Sequence, residues 1–393
     1  MIERPALLLY CQHSLGLGDL KRSWALASHL AEAFRVTLVS GGVPPAGLRP
    51  PQGIETIQLP PLAEDAAGTL LSVNPAASVD DVKAERRQRL VEIARDVWPD
   101  AIVVELFPFG RRKFHDEIIA LLQEAHRGPR PVVATSVRDL LMDRGAEQQR
   151  HDDRVRAVVD EYFDFVLVHT DPRFATLDDT FHPSWPLTTP VHHTGFVVAE
   201  RPADAVDGER SGILVSGGGG RFAETLYLMA IAAYDLLPAA PPMTIITGPL
   251  CPEQTVAAVS AAAQRRPGIR VERTVDDLCG AMRRAAISVS QCGYNTALDI
   301  VRAGVPAIVV PFDENGDTEQ TIRAHRLEQL DLVRVVGARA GARALADAIT
   351  AIGPQSRARA TLDLGGGRRS TDILVGAVRE PFVRRPEIEG EPT

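Results

Sequence analysis

Short apolar runs alternate with amphipathic segments along most of the chain. The first run covers residues 6–10, and a glycine-bearing loop follows it. Apolar residues then recur at Leu20, Trp24, Ala27 and Leu30, a spacing typical of one helical face. Further apolar runs lie at residues 36–39, 101–104, 131–135, 165–169 and 212–215. Strands separated by helix-length crossovers predict parallel sheets covered by helices, which is an α/β fold.

The alternation divides into two halves. The stretch 197–211 is poor in large apolar residues after its first positions and rich in charged residues and alanine, which is typical of an interdomain joint. A chain of 393 residues is also long enough for two domains. We therefore predict a first Rossmann-like domain over residues 1–200 and a second over 208–365, doubly wound and facing each other across a cleft. Residues 366–393 are expected to form a helix that packs back on the joint, followed by a polar tail.

Composition excludes several classes of protein. The chain is 45% hydrophobic and 24% charged, and its 43 basic and 51 acidic residues give a net charge of -8. An acidic chain without a basic block argues against nucleic acid as a partner. No apolar stretch reaches the ~20 residues of a transmembrane helix, although contact with a membrane surface is left open. The four separate cysteines form no CxxC pair, which favours a reduced, cytoplasmic setting without bound zinc.

Three loops at strand ends carry polar or charged residues. They are GLGDLKRS at 16–23, ELFPFGRR at 105–112 and SVRDLL at 136–141. Ligands of open α/β sheets bind outside the carboxyl ends of the strands, so three such loops favour a shared cleft. The alternative interpretation is that each loop serves only local structure, with glycines that permit a turn, solvated arginines, and Glu105 as a helix cap.

A run of four glycines follows the strand at 212–215. Residues 217–220 lack Cβ atoms, so their backbone amides can approach a ligand closely, and a helix predicted to start near Phe222 would point its positive end at the same place. This pattern predicts a phosphate or diphosphate site. No Lys-Ser/Thr follows and no GxGxxG spacing is present, so the loop is neither a Walker loop nor a dinucleotide fingerprint.

A second signal lies downstream, where residues 292–296 form a turn of mostly small residues that opens a helix. Asn295, Thr296 and Asp299 lie in the first turns of this helix, and Gly304 is followed by Pro306 at its predicted end. A carboxylate one turn into a helix can accept hydrogen bonds from both hydroxyls of a ribose, while the helix N-terminus faces a phosphate.

Residues 272–330 resemble the donor domain of MurG-like glycosyltransferases, which have the GT-B fold. The shared features are a Val-Asp-Asp-Leu turn, a small-Gly-x-x-Thr helix start, the acid at 299, Ala-Gly-x-Pro, and the pair 319–320. The three loops of the first half look like those of a less characterised branch of predicted glycosyltransferases. The resemblance implies two Rossmann-like domains, with the acceptor on the first and a nucleotide-sugar donor on the second.

The resemblance also implies roles for individual residues. Asp299 would bind the ribose, and Glu319 with Gln320 would reach the sugar hydroxyls. Thr274 and Val275 would hold the edge of the base. The residues expected around the diphosphate are Gly217, Gly218, Gly219, Gly220, Gly293, Asn295 and Thr296. Gly16, Gly18 and Arg138 are expected on the acceptor side.

The chain departs from the family pattern at two positions. Relatives read Gly-x-Gly-His in the first loop, whereas this chain has Asp19 in place of the histidine. An aspartate has a reference pKa of ~3.9 and is a weaker base than histidine near neutrality. Three hypotheses stay open: Asp19 is the base, His13 or Glu105 takes that role, or the chemistry has changed. Relatives also often have arginine where this chain has Gln291.

The function expected from the resemblance is inverting transfer of a sugar from a nucleotide-diphosphate donor, with UDP favoured, to an unidentified small-molecule or lipid-type acceptor. It would need neither a metal nor another cofactor. One alternative is a nucleotide-sugar epimerase or hydrolase on the same fold, and another is a catalytically altered pseudo-transferase. The sequence does not indicate an oligomeric state.

Overall fold

The computed structural model describes residues 4–13, 17–44, 48–65, 68–200, 209–239, 241–312, 318–352 and 361–379. Over these ranges the chain forms a seven-stranded and a six-stranded parallel sheet, together with a two-stranded antiparallel sheet. No helix in these ranges is long and apolar enough to cross a membrane. The predicted α/β fold of two Rossmann-like domains is confirmed.

The first sheet has the strand order β3-β2-β1-β6-β7-β8-β9, and all its strands run parallel. The strands of this half are β1 (Ala6–Cys11), β2 (Arg35–Ser40), β3 (Glu55–Gln58), β4 (Leu62–Glu64), β5 (Leu70–Ser72), β6 (Ala101–Glu105), β7 (Val132–Val137), β8 (Phe165–Val168) and β9 (Val191–His193). Its helices are α1 (Gly18–Leu30), α2 (Val79–Val97), α3 (His115–Ala125) and α4 (Gln148–Tyr162). The small sheet pairs β4 with β5.

The second sheet has the strand order β12-β11-β10-β13-β14-β15. Its strands are β10 (Ile213–Ser216), β11 (Met243–Ile246), β12 (Ile269–Glu272), β13 (Ile287–Ser290), β14 (Ala307–Val309) and β15 (Arg334–Val335). The helices of this half are α5 (Glu224–Tyr234), α6 (Glu253–Ala263), α7 (Leu278–Arg284), α8 (Tyr294–Ala303), α9 (Glu319–Gln329) and α10 (Gly341–Ile352), and α11 (Gly366–Arg379) follows them.

Both sheets reverse their strand order at their first strand. In the first sheet the chain moves outward from β1 to β3 and then returns to β6 on the other side of β1. The second sheet does the same at β10 and β13. Ligands of open parallel sheets bind at such reversal points, outside the carboxyl ends of the strands. The loops that follow β1, β6, β10 and β13 are therefore the places to look for a site.

Each sheet is buried on both faces. Along β1, Leu8 and Tyr10 belong to one hydrophobic core, whereas Leu7 and Leu9 belong to another on the opposite face. Successive residues of a strand point to opposite faces, so a continuous apolar run is the pattern of a strand covered on both sides. The second sheet likewise lies between two cores.

Local signals in the sequence predict several element boundaries. Ser78 caps α2, because its Oγ accepts from the amide of Asp81 at 3.1 Å and the Asp81 carboxylate accepts from the amide of Ser78 at 3.2 Å. Gly304 ends α8 with a φ of 56°, a left-handed conformation that favours glycine. These two predictions are confirmed. The helix expected near Phe222 begins at Glu224 instead, because residues 217–223 form turns.

The last described helix, α11, packs against the first domain although it follows the second in sequence. Leu374 is fully buried in the core that contains β1 and α1. Gly367 lies so close to the ring of His29 that an added Cβ would be 2.0 Å from it. The chain thus crosses between the halves twice, once near residues 197–211 and once before α11. Residues 201–208 of the joint and 380–393 of the predicted tail lie outside the described residues.

Candidate active site between the two domains

The start of α1 in the first domain contacts the start of α8 in the second. Nδ2 of Asn295 donates a hydrogen bond to the carbonyl oxygen of Gly18 at 3.0 Å. Next to it, the Tyr294 hydroxyl donates to the carbonyl oxygen of His169 at 3.3 Å. The structure therefore brings together Gly18 and Asn295, which were predicted on the acceptor and donor sides. Gly16 lies outside the described residues.

The glycine run lies beside the first turn of α8. Gly218 and Gly220 have φ values of 62° and 86°, so this turn favours glycine at both positions. A Cβ on Gly218 would lie 3.0 Å from Oγ1 of Thr296. The loop after β10 and the N-terminus of α8 thus form one surface, as the phosphate hypothesis requires.

Part of the backbone of this loop is already hydrogen-bonded within the protein. The amide of Gly218 donates to Oγ of Ser216 at 3.2 Å, and the amide of Gly220 donates to the carbonyl of Gly217 at 3.0 Å. Gln291, at the position where relatives often have arginine, donates to the carbonyl of Phe222 at 2.8 Å. Its side chain therefore holds the turn before α5, and the N-terminus of α8 contributes positive potential next to the loop.

Asp299 lines a cavity of about 410 Å³ between α1 and the α7–α8 region. Lys21 and Trp24 form its wall on the first domain, and Arg302 lies on the same wall as Asp299. Burial raises the pKa of Asp299 to about 6, although Arg302, whose Nη1 is 3.5 Å from Oδ1, acts in the opposite direction. A volume of this size suits part of a small-molecule ligand, and Asp299, with 20% of its side chain exposed, is a half-buried hydrogen-bond acceptor in its wall.

The residues expected to hold the base adjoin this cavity. Thr274 is exposed and Val275 is half-buried on the loop after β12. The cavity wall begins one residue further on, at Asp276, and continues through Leu278 at the start of α7. Their role as partners of the base stays a prediction.

Glu319 and Gln320 are held by contacts at the domain interface. The Glu319 carboxylate pairs with Nη2 of Arg138 at 2.7 Å and with Nη2 of Arg323 at 2.6 Å. Oε1 of Gln320 accepts from the amides of Cys292 and Phe312 at 3.0 and 3.3 Å. Arg138, predicted on the acceptor side, therefore lies next to a residue predicted to bind the donor sugar.

Arg323 is the centre of this interface and was missed from the sequence. It is fully buried, and its guanidinium donates to both carboxylate oxygens of Asp139 at 2.7 and 2.8 Å. Burial alone would lower its pKa, but Asp139 and Glu319 raise it well above its usual range. Two sequence signals could have indicated these ion pairs. Asp139 lies in the strand-end loop at 136–141, and the i, i+4 spacing of Glu319 and Arg323 is typical of an ion pair along one helix face.

Asp19 lies between arginines. Its carboxylate pairs with Nη2 of Arg22 at 3.1 Å and also with Arg111. Burial acts to raise the pKa of Asp19, but Arg111, Arg22 and Arg138 lower it well below its usual range. The carboxylate is therefore ionised near neutral pH and is a weak proton acceptor.

Glu105 is fully buried at the end of β6. It forms an ion pair with Arg22 and accepts from Oγ of Ser136 at 3.0 Å. Burial raises its pKa against the opposing effect of Arg22. Glu105 supports the arginine that contacts Asp19, and its carboxylate is occupied by Arg22 and Ser136.

His13 follows β1 and is also buried. Its Nε2 lies 2.9 Å from the carbonyl oxygen of Val43, which can only accept, so Nε2 carries the proton. Nδ1 is then the basic nitrogen, and within the described ranges it has no hydrogen-bond partner. Burial lowers the pKa of His13, and Arg111 lowers it further while Asp19 raises it. His13 is thus a neutral imidazole close to the Asp19–Arg111 pair.

Among the described residues, one group has a spacing that would suit a metal ion. Ligand atoms of His29, Glu32 and Glu200 lie within 4.8 Å of one another. Nε2 of His29 already bonds to the carbonyl of Val198 at 3.1 Å, and both glutamates are exposed. None of the three was predicted as a site residue or contacts the α1–α8 junction, so the group enters no step below.

Two Rossmann-like domains thus meet near a glycine loop, a helix N-terminus and a half-buried carboxylate, which defines the two-domain α/β class of fold. Residues 213–362 match the family model described as the glycosyltransferase family 28 C-terminal domain. This segment contains the glycine loop, Asp299 and Glu319. Comparison with curated proteins finds no match in sequence.

Solved structures similar to the whole chain show the same fold. Acinetobacter baumannii MurG is 16% identical, with 95% of this chain and 100% of that chain covered and a TM-score of 0.56. The calicheamicin glycosyltransferase CalG4 is 15% identical, with 96% and 95% covered and a TM-score of 0.56. The UDP-GlcNAc 2-epimerase from Methanocaldococcus jannaschii is 11% identical, with 94% and 99% covered and a TM-score of 0.58. These likenesses show the GT-B fold expected from the sequence, and the family match identifies residues 213–362 as similar to a glycosyltransferase family 28 C-terminal domain.

Proposed function

We propose that this protein transfers a sugar from a nucleoside-diphosphate sugar, with UDP the favoured nucleotide, to a hydroxyl group of an acceptor bound on the first domain. The observation that carries the proposal is the Asp299 cavity, which is lined by Asn295 at the α8 N-terminus, while the next residue, Thr296, faces Gly218 of the glycine loop. A nucleoside and a diphosphate need these two features next to each other. MurG, CalG4 and an epimerase that was solved with UDP-GlcNAc share the fold.

In this proposal Asp299 accepts hydrogen bonds from the ribose hydroxyls. The leaving diphosphate lies at the N-terminus of α8, near Thr296 and Gly218. Backbone N–H groups and the helix dipole there would stabilise the negative charge that develops on the leaving group. The proposal requires no metal ion, because these groups supply the positive potential.

The acceptor hydroxyl loses a proton when it attacks the anomeric carbon. Asp19 keeps 17% of its side chain exposed, so it can orient that hydroxyl, but its two arginine partners make it a poor base. His13 has a basic Nδ1 and lies close enough to Asp19 and Arg111 to be affected by their charges. We therefore assign orientation to Asp19 and proton acceptance to His13, whose buried Nδ1 must become exposed to reach the acceptor hydroxyl, with inversion at the anomeric carbon.

The first experiment is a thermal-shift screen with UDP, GDP, TDP and ADP. A ligand that binds only the folded state raises the melting temperature. At a ligand concentration of a hundred times its Kd, the free energy of unfolding increases by roughly 2.7 kcal/mol. The nucleotide that stabilises the protein then identifies the sugar donors to test with hydroxyl acceptors. No stabilisation by any of the four would contradict the proposal. Formation of an epimer from donor alone, without an acceptor, would favour the epimerase alternative.

A further inference from the structure

A second cavity lies in the first domain, between α3 and α4. Its volume is about 550 Å³, within the ~300–1,000 Å³ range of small-molecule pockets. Phe107 and Pro108 from the loop after β6 form one side, and Val155 and Val158 from α4 form the other. We call this space the α3–α4 cavity. Its apolar walls suit a ligand with an aromatic or aliphatic body.

Arginines surround this apolar space. Arg112 and Arg154 line the cavity, and Arg144 lies near both. Burial lowers the pKa of Arg144; Asp152 raises it, and the charges of Arg112 and Arg154 lower it further. Within the part of the chain that the structure describes, none of these three guanidinium groups has a carboxylate at ion-pair distance. The three arginines therefore repel one another, and Asp152 offsets only part of this effect at Arg144.

The two nearby acids, Asp116 and Asp152, form no ion pair with these arginines. Asp116 lines the cavity but makes no ion pair with any of the three arginines. The Asp152 carboxylate instead accepts from Nε2 of Gln148 at 2.8 Å and from the amide of His182 at 2.8 Å. An anion that entered the cavity would meet the guanidinium groups and relieve their repulsion.

Two histidines and the start of α3 complete the wall of the cavity. The ring of His115 packs on Phe107 with centroids 5.7 Å apart, and His151 is held by a hydrogen bond between Nε2 and the carbonyl of Phe109 at 3.3 Å. His115 also begins α3, an 11-residue helix whose N-terminus carries no side-chain cap. Asp116 and Glu117 in the first turn offset part of the positive charge of that terminus, so the arginines carry the anion-binding role.

We propose that the α3–α4 cavity binds a small anionic molecule with an apolar body, held by Arg112 and Arg154 through its carboxylate, phosphate or sulfonate group. Arg111, the residue before Arg112, pairs with Asp19 at the domain junction. A ligand in this cavity therefore contacts the loop that positions Asp19. Such a ligand is either an acidic acceptor of the transfer reaction or an effector that acts through this loop.

The test uses anilinonaphthalene sulfonate as an anionic aromatic probe and N-phenylnaphthylamine as its neutral counterpart, with fluorescence titrations on the full chain. We expect saturable binding of the sulfonate that weakens at least fivefold in Arg112→Gln and in Arg154→Gln. The neutral probe should be unaffected by either change. Arg150→Gln is the matched control, because Arg150 lies on the same helix but pairs with Glu147. All variants change exposed side chains, and unchanged melting temperatures verify their folding.

The proposal would be overturned if the sulfonate bound with equal affinity to the wild type and both variants, or if the neutral probe bound as tightly as the sulfonate. It would also be overturned if a nucleoside diphosphate displaced the sulfonate, because the probe would then occupy the Asp299 cavity.

Two further experiments distinguish an acceptor from an effector. Transfer of sugar to para-hydroxybenzoate, with a raised KM and unchanged kcat in Arg154→Gln, indicates an acceptor. An effector is indicated if benzoate displaces the probe and changes the affinity for the donor, while no sugar is transferred to benzoate. The binding titrations do not depend on glycosyl transfer, so they stay informative if the proposed function fails.

Discussion

Asp299→Asn should weaken donor binding and stabilise the protein at the same time. The amide keeps the size of the carboxylate but removes its charge, so the hydrogen bonds to the ribose lose their charge assistance. Hydrogen bonds to charged groups contribute roughly 1.5–3 kcal/mol, which corresponds to a loss of about tenfold or more in affinity. We expect a change of that size for the nucleoside diphosphate identified by thermal shift, measured by titration calorimetry at pH 7.5.

The stability of the same variant follows from the raised pKa of Asp299, which is about 6 in the folded protein. Above about pH 6, ionisation of Asp299 in the folded state lowers the free energy of unfolding. This destabilisation disappears as the pH falls toward the pKa of the unfolded state, near ~4, because the folded protein then holds the proton. Removing the charge should raise the free energy of unfolding by roughly 1–3 kcal/mol at pH 7.5, since one pKa unit corresponds to about 1.4 kcal/mol. The gain should shrink between pH 6 and pH 4.

The pH dependence of donor affinity gives an independent measurement. Wild-type affinity should fall about tenfold between pH 7.5 and pH 5, because only a minor fraction of Asp299 stays ionised one unit below its pKa. Titration of the nucleotide phosphate affects wild type and variant alike, so the difference between them isolates Asp299. Asp347→Asn is the control, since Asp347 is an exposed residue of α10 outside the cavity. Unchanged donor affinity in Asp299→Asn, or a loss of stability at pH 7.5, would refute the reasoning.

Three further predictions concern the junction between the domains. Asp19→Asn should lower kcat by at least tenfold with donor affinity unchanged, and normal turnover in steady-state assays would remove Asp19 from the mechanism. His13→Gln should lower kcat about a hundredfold or more and abolish the acidic limb of the pH profile of kcat, the scale of a lost general base; a profile identical to wild type would exclude His13 as the base. Arg323→Met should destabilise the protein by about 3–5 kcal/mol in urea unfolding because it leaves the buried Asp139 unpaired, whereas the double change with Asp139→Leu should recover much of the loss. Equal stability of the single and double variants would contradict a net cost of the unpaired charge.

The sequence alone determined the local architecture and the family resemblance. A continuous apolar run such as β1 specifies a strand buried on both faces, and Ser78 with Asp81 specifies a helix start, because both signals act over a few residues. The glycine loop and the start of α8 were predicted for the same reason. Gly218 and Gly304 have positive φ angles, a conformation that favours glycine, so the glycines in the sequence indicate where such turns can form.

Only the tertiary structure decided which charges meet. Asp139 and Arg323 are 184 positions apart in sequence, yet they form the buried ion pair that joins the domains. Asp19 appeared from the sequence to be a candidate base, but Arg111, 92 positions away, and Arg22 lower its pKa. Pairing of this kind depends on distances between separate elements and on burial, and neither quantity is encoded in local spacing. The sequence could name Asp299 by resemblance. The cavity that Asp299 shares with α1, and the loss of hydration that raises its pKa, became visible only in the folded chain.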